Sequence, residues 1–204
     1  MRPTAGLLLT GGASRRLGVD KARLVRGGVR LADHVAAIVR GVADPVLEVG
    51  SGASELRVVR EDPAGAGPLV ALAAGFAALD ALDPAGMDAG VVLVVAVDQP
   101  ALTAEVLTFL RDRPESGAMV PVVAGRAQPL CARYPRSAGV AARELVAGGA
   151  RAVHDLLARI PVTYLDETAW GGVAAAAAFA DLDEPADLLG SGWEAGPGSL
   201  GTRR

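Results

Sequence analysis

Apolar positions along the chain switch repeatedly between strand-like runs and helical spacing before residue 111. Ala5–Thr10 is a short apolar run that predicts a buried strand. Leu31, Val35, Ile38 and Val39 fall on one helical face and predict a helix over Leu31–Arg40. Pro45–Val49 and Leu56–Arg60 are short β-rich runs. Pro68–Leu82 reads as an Ala/Leu helix, with Pro68 suited to its first turn. Six of the seven residues in Val91–Val97 are valine or leucine, the pattern of a central strand covered on both faces. Thr103–Arg111 follows as a helix, with Thr103 as N-cap and Glu105 in its first turn. Such alternation predicts a Rossmann-like, doubly wound, mostly parallel α/β sheet.

Beyond residue 111 the pattern predicts strands at Ala118–Val123 and Pro129–Tyr134, then helices at Ser137–Ala147 and Arg151–Arg159. A strand at Pro161–Leu165 and a short helix near Pro185–Leu189 complete the series. Gly190–Arg204 is glycine-rich and polar without periodicity. The expectation is therefore one domain over residues 1–190 and a disordered tail at 191–204.

Composition narrows this picture. With 204 residues, half of them hydrophobic and only 3% aromatic, the chain can build one aliphatic core. No apolar run reaches the ~18 residues of a membrane span, and the N-terminal residues do not read as a signal peptide. A lone cysteine, Cys131, excludes an internal disulfide, and a reducing cytoplasm is the expected location. Cys131, in a strand-like run, is expected in the core; His34 and His154 are expected at or near the surface. The net charge of −3 argues against general nucleic-acid binding while leaving room for a local basic pocket.

The candidate chemistry begins where the first strand ends. Thr10 leads into Gly11-Gly12, then Ser14-Arg15-Arg16, Gly18 and Asp20-Lys21. Glycines let backbone N–H groups approach phosphate oxygens, while arginine adds a fork of donors and lysine a mobile charge. The spacing fits neither a Walker loop nor a dinucleotide fingerprint. Asp98 directly follows the most apolar strand, at the edge where open α/β sheets bind ligands. A carboxylate there is a candidate ligand for a hard divalent cation. Asp62 precedes a second glycine loop, Gly65-Ala66-Gly67-Pro68-Leu69. Asp181 and Asp183 have period-2 spacing and share a side if the segment is extended.

Leu9–Lys21 resembles the N-terminal signature of the molybdenum cofactor guanylyltransferases, roughly L-A-G-G-x-S-R-R-M-G-x-D-K, with Thr10 in place of alanine and Leu17 in place of methionine. Val97-Asp98-Gln99-Pro100-Ala101-Leu102 is similar to that family's C-D-x-P-x-L segment. Phe179–Pro185 is similar to its F-x-N-x-N-T-P segment, with both asparagines replaced by aspartate, and Gln128-Pro129-Leu130 stands where His-Pro-Leu is common. The resemblance implies a nucleotide-diphospho-sugar transferase-like fold and Mg²⁺-dependent transfer of GMP from GTP to molybdopterin cofactor, with release of pyrophosphate. It implies catalytic roles for Arg15, Lys21 and Asp98, and nucleotide binding by Leu9, Thr10, Gly11, Gly12, Lys21, Asp62 and Asp98. Asp98 is the implied Mg²⁺ ligand, and Asp183 is a further metal candidate. GTP, molybdopterin cofactor and molybdoenzyme-maturation proteins are the implied partners, with neither nucleic acid nor membrane. The Asp181-Leu182-Asp183 segment looks more like the related cytidylyltransferases and sugar-phosphate nucleotidyltransferases. A cytidylyltransferase or other small-molecule or sugar-phosphate nucleotidyltransferase on the same fold, and a non-catalytic nucleotide-binding protein, are the alternatives.

Overall fold

A computed structural model describes residues 3–11, 17–83, 90–173 and 176–196. Strand β1 (Thr4–Leu9) is followed by a 3₁₀ turn at Lys21–Arg23, strands β2 (Leu24–Arg26) and β3 (Val29–Arg30), and helix α1 (Leu31–Arg40). Next come β4 (Val46–Val49), β5 (Arg57–Val59), α2 (Pro68–Leu82), β6 (Val91–Ala96) and α3 (Ala104–Asp112). The chain continues through β7 (Ala118–Val123), β8 (Arg126–Ala127), β9 (Cys131–Pro135), α4 (Ala138–Ala147), α5 (Val153–Arg159) and β10 (Val162–Leu165). Helix α6 (Glu167–Trp170), a 3₁₀ turn at Ala176–Phe179, helix α7 (Pro185–Leu188) and strand β11 (Glu194–Ala195) follow.

The main sheet runs β10-β7-β9-β6-β1-β4-β5, with β8 paired to β7. β1 lies between β4 and β6 and is parallel to both, and β5 and β10 also join in parallel. β9 is antiparallel to β6 and β7. This is the mostly parallel α/β sheet that the alternation predicts.

The apolar runs are continuous because both faces of the sheet are covered. Side chains alternate across a strand, so Leu8, Leu93 and Val95 join one core layer with Leu31 and Val35 of α1 and Leu107 of α3. Leu7, Leu9, Val92 and Val94 join the other, against Leu69, Leu72 and Phe76 of α2, Ala138 of α4 and Leu156 of α5. Helix α2 is apolar nearly all round because it packs on the sheet and against α4. It lies so close to the sheet that a Cβ on Gly75 would come 2.7 Å from Leu7 Cδ1. Small residues let the aliphatic layers close up without aromatic bulk. Full burial of a side chain such as Leu72 contributes ~1.5–3 kcal/mol.

Several features depart from the sequence reading, among them the two-residue strand β8. β2 and β3 form a short hairpin, turned by Gly27 and Gly28 at positive φ, where no strand is expected. Residues 191–196, expected within the tail, instead return to the body. Trp193 is buried and β11 adds to β2 as an antiparallel edge. That correction has a plain cause: one large aromatic side chain finds a core site, and a two-residue strand carries no periodicity to read. Helix α6 is also new, with Asp166 accepting from the backbone N–H groups of Thr168 and Ala169 at its start. Among the described residues no helix is long and apolar enough to cross a membrane.

Candidate active site

β1, β4 and β6 run in parallel, so their carboxyl ends converge at one edge of the sheet. There Thr10 N donates to Val49 O at 3.0 Å and Val97 N donates to Leu9 O at 3.0 Å, binding three strand ends together. A cavity of about 540 Å³ opens over this edge. Leu9, Thr10, Gly11, Lys21 and Asp98 all line it. Glu61, Gly65 and Gly67 form its far wall, at the start of α2. Asp62 is exposed and does not line the cavity, whereas its neighbour Glu61 does, with its carboxylate accepting from Gly65 N at 2.8 Å. Gly12 and Arg15 lie outside the described residues.

Lys21 enters the site from the 3₁₀ turn that follows the glycine loop. Asp20 caps that turn, accepting from Ala22 N at 3.1 Å, and pairs with Arg23 at 3.3 Å. Lys21 is thereby projected inward, with 13% of its side chain exposed. Its Nζ stands 3.5 Å from Asp98 Oδ2 and donates to Asp183 Oδ1. Two loops far apart in sequence thus converge on one ammonium group.

The third carboxylate is set by the backbone of the same segment. Leu182 N donates to Asp98 O at 2.9 Å, and the Leu182 side chain is buried between the two aspartates. Asp181 and Asp183 therefore both face the Asp98 loop, as their period-2 spacing predicts. Gln99, itself buried, donates from Nε2 to Asp181 Oδ1 at 3.3 Å. Burial pushes the Asp98 carboxyl above its ordinary range, the Lys21 charge draws it back, and Asp183 adds to the rise. Burial, reinforced by the charge of Asp98, pushes Asp181 up to about 6. Lys21 thus pairs with Asp98 and Asp183, Gln99 holds Asp181, and extra positive charge here would stabilise the carboxylates as anions. Hard divalent cations take carboxylate oxygens and complete their shells with phosphate oxygens and water. The donor set of Asp98 and Asp183 fits such a cation. Among the described residues, no group of three or more His, Cys, Asp or Glu side chains could hold a metal ion. A cation here would therefore draw on phosphate and water as well.

A second construction lies behind the glycine loop, and sequence reading overlooks it. Glu48 in β4 is fully buried yet ionisable. It accepts from Thr10 Oγ1 at 2.5 Å, from Gly52 N at 2.8 Å, Ala53 N at 2.7 Å and Ser54 N at 2.8 Å, and from Ser54 Oγ at 2.5 Å. Burial raises its pKa, but the Ser54 and Thr10 hydroxyls and the backbone donors outweigh that, and the carboxyl ends below its ordinary value. Ser51 N in turn donates to Thr10 Oγ1 at 3.3 Å. Gly50 has φ +144°, and a Cβ there would come 2.5 Å from both Gly11 N and Thr10 Oγ1, so the close approach of residue 50 to Thr10 and Gly11 leaves no room for a side chain. The available signal was a single charge inside an apolar strand, followed by Gly-Ser-Gly-Ala-Ser.

The remaining candidates are less central. Cys131 is buried as expected, and burial raises its thiol pKa. His154 is exposed. His34 is half-buried, with Nε2 3.1 Å from Pro100 O. Gln128 is half-buried beside the β7–β8 hairpin, while Leu130, two residues on, lines the cavity.

Comparison with known proteins agrees with this architecture. The family model for the MobA-like NTP transferase domain matches residues 6–168. A probable molybdenum cofactor guanylyltransferase of Mycobacterium avium (strain 104) is 32% identical over 163 residues, covering 75% of this chain and 80% of its own. One from Opitutus terrae is 37% identical over 164 residues, covering 76% and 78%. The solved structure of molybdopterin-guanine dinucleotide biosynthesis protein A from Archaeoglobus fulgidus shares the fold, with TM-score 0.73 at 22% identity over 91% of this chain and 95% of that one. The 2-C-methyl-D-erythritol 4-phosphate cytidylyltransferase of Thermus thermophilus shares it too, with TM-score 0.61 at 20% identity, covering 91% and 96%. With the family model spanning most of the chain and relatives above 30% identity along three quarters of it, this nucleotidyltransferase belongs to the MobA-like NTP transferase family.

Proposed function

We propose that the protein transfers GMP from GTP to the phosphate of molybdopterin cofactor, with Mg²⁺, and releases pyrophosphate. The observation that carries this reading is Lys21, held by Asp98 and Asp183 beside a glycine loop at the carboxyl edge of parallel strands. The relatives' names agree with it. In the reaction a phosphate oxygen of the acceptor attacks the α-phosphorus of GTP. That P–O bond forms as the bond from the α-phosphorus to the bridging oxygen breaks, and the electron pair leaves with pyrophosphate. Two anions must be brought together, so the protein's work is neutralisation and alignment.

Lys21 would turn from its carboxylate partners to the triphosphate and stabilise the charge gathering on the leaving group. Arg15, on the same loop, would add a fork of donors. Backbone N–H groups at Gly11 and Gly12 would take phosphate oxygens without steric obstruction. Asp98, with Asp183, would hold Mg²⁺, which when bound supplies Lewis-acid polarisation of the phosphate and a template for its alignment. Glu48 would keep Thr10 and the 50–54 loop in place beneath the nucleotide. No protein nucleophile is required.

The test is pyrophosphate release by the full chain supplied with molybdopterin cofactor, GTP and Mg²⁺. The reading requires release that depends on all three; release without the acceptor, or none with it, contradicts it. One observation favours a second reading. The pairing of Asp183 with Lys21 engages the Asp-Leu-Asp segment, which looks more like that of cytidylyltransferases. In that case CTP would replace GTP on the same machinery.

A further inference from the structure

The C-terminal return is tied to both loops that carry the proposed phosphate and metal groups. β11 pairs with β2, Ala195 opposite Leu24 and Glu194 opposite Val25. Leu24 N donates back to Lys21 O, so the strand that β11 grips grows directly out of the Lys21 turn. Gly196 packs on the same place: a Cβ there would lie 2.8 Å from Arg23 O. The second tie runs through Trp193, which is 4% exposed. The Arg26 guanidinium of β2 lies 4.5 Å from the Trp193 ring centroid. The His34 ring lies 5.6 Å from Trp193, and His34 Nε2 meets Pro100 O at 3.1 Å, two residues after Asp98. One indole thus contacts the strand continuing from Lys21 and the histidine bonded to the loop continuing from Asp98. Trp193 does not line the cavity.

We propose that Trp193 is a positioning residue that sets the placement of Lys21 relative to Asp98, and through them the affinity for metal-bound nucleotide. The proposal rests on the reading of Lys21 and Asp98 as the phosphate and metal groups. Its physical basis is that elements sharing one packed side chain relax together when that side chain is removed, because interiors are close-packed. A phosphate clamp whose lysine and carboxylate drift by a fraction of an ångström loses electrostatic complementarity without losing its fold.

The test is calorimetric binding of Mg²⁺·GTP to the full chain, alongside thermal melting. Trp193→Ala is expected to weaken binding about tenfold, the size reached when a linking network is relaxed. Trp193→Phe, which keeps a ring for Arg26 and His34, should bind within about twofold of wild type. Gly196→Val lifts β11 from Arg23 without touching the core and should also weaken binding; it decides the matter if Trp193→Ala does not fold. Leu156→Ala, in the opposite core layer, should lower the melting temperature and leave affinity unchanged. Wild-type affinity in folded Trp193→Ala, or in Gly196→Val, overturns the proposal. So does equal weakening by Leu156→Ala, since affinity would then merely follow stability. Lys21→Ala separates the two levels. If it binds Mg²⁺·GTP normally, the site reading itself fails. If it loses binding while Trp193→Ala keeps it, only the positioning role falls.

Discussion

Lys21 Nζ and Asp98 Oδ2 meet at 3.5 Å although the residues are 77 positions apart in sequence. The lysine arrives from the turn after β1, the aspartate from the end of β6, and the parallel pairing of those strands brings them to one edge. A cation and an anion so arranged can divide the work on a triphosphate.

Lys21→Ala should remove a charge-assisted contact to the leaving pyrophosphate. The expected loss is about 1.5–3 kcal/mol of transition-state stabilisation, or roughly 10- to 150-fold in kcat/KM. Circular dichroism should stay native. Steady-state kinetics of the purified variant check this, and unchanged turnover would remove Lys21 from the mechanism.

Asp98→Asn keeps the shape of the side chain and loses its charge. Mg²⁺-dependent turnover should be abolished, and Mn²⁺ binding in the presence of nucleotide should weaken, while the melting curve stays cooperative. A crystal with Mn²⁺ bound in the site and not touching Asp98 would contradict the assignment.

Glu48→Gln tests the knot beneath the glycine loop. Glutamine cannot satisfy all the donors that now point at the carboxylate, so stability should drop by on the order of 1.5–3 kcal/mol. The sign of the pH effect follows from the lowered carboxyl. A depressed folded-state pKa contributes stability above the unfolded value, near 4.5, and that contribution is lost as pH falls through the folded value. The gap between wild type and Glu48→Gln in urea melts should therefore be full above about pH 5 and shrink below 4.5. A gap independent of pH would mean that Glu48 is not held as an anion.

Base choice is expected to rest on the two acids before the second glycine loop, Glu61 in the far wall and Asp62 beside it. A carboxylate can accept from guanine N1–H and its exocyclic amine together, whereas cytosine offers one amine and no ring N–H. Thermal shifts with Mg²⁺ should favour GTP over CTP, and Asp62→Ala should narrow the difference. Because Glu61 lines the cavity and Asp62 is exposed, Glu61→Ala should narrow it further. If neither variant changes the ratio, the base is read elsewhere.

Much of this was legible in the sequence, for identifiable reasons. β1 and β6 announce themselves because a strand covered on both faces must be apolar throughout, and Asp98 stands out as the charge that ends such a run. Lys21 was legible from its spacing behind the glycine loop. The choice between Glu61 and Asp62 was not, because adjacent acids in a loop differ only by which way the backbone turns. Glu48 was hidden by the shortness of β4, where one charge in four residues reads as surface rather than as a buried anion with a full set of donors. The antiparallel direction of β9 depends on which strands it slots between, β6 and β7, and local pattern does not encode that. Trp193 was lost in a glycine-rich segment whose only structural signal is one side chain.

The most direct test of the central claim is the mass of the product formed when the full chain is incubated with molybdopterin cofactor, Mg²⁺ and equal amounts of GTP and CTP. The account predicts an acceptor carrying GMP, with one pyrophosphate released per product and neither appearing with Lys21→Ala. An acceptor carrying CMP would contradict the guanylyl assignment, and an unmodified acceptor would contradict the proposed reaction itself.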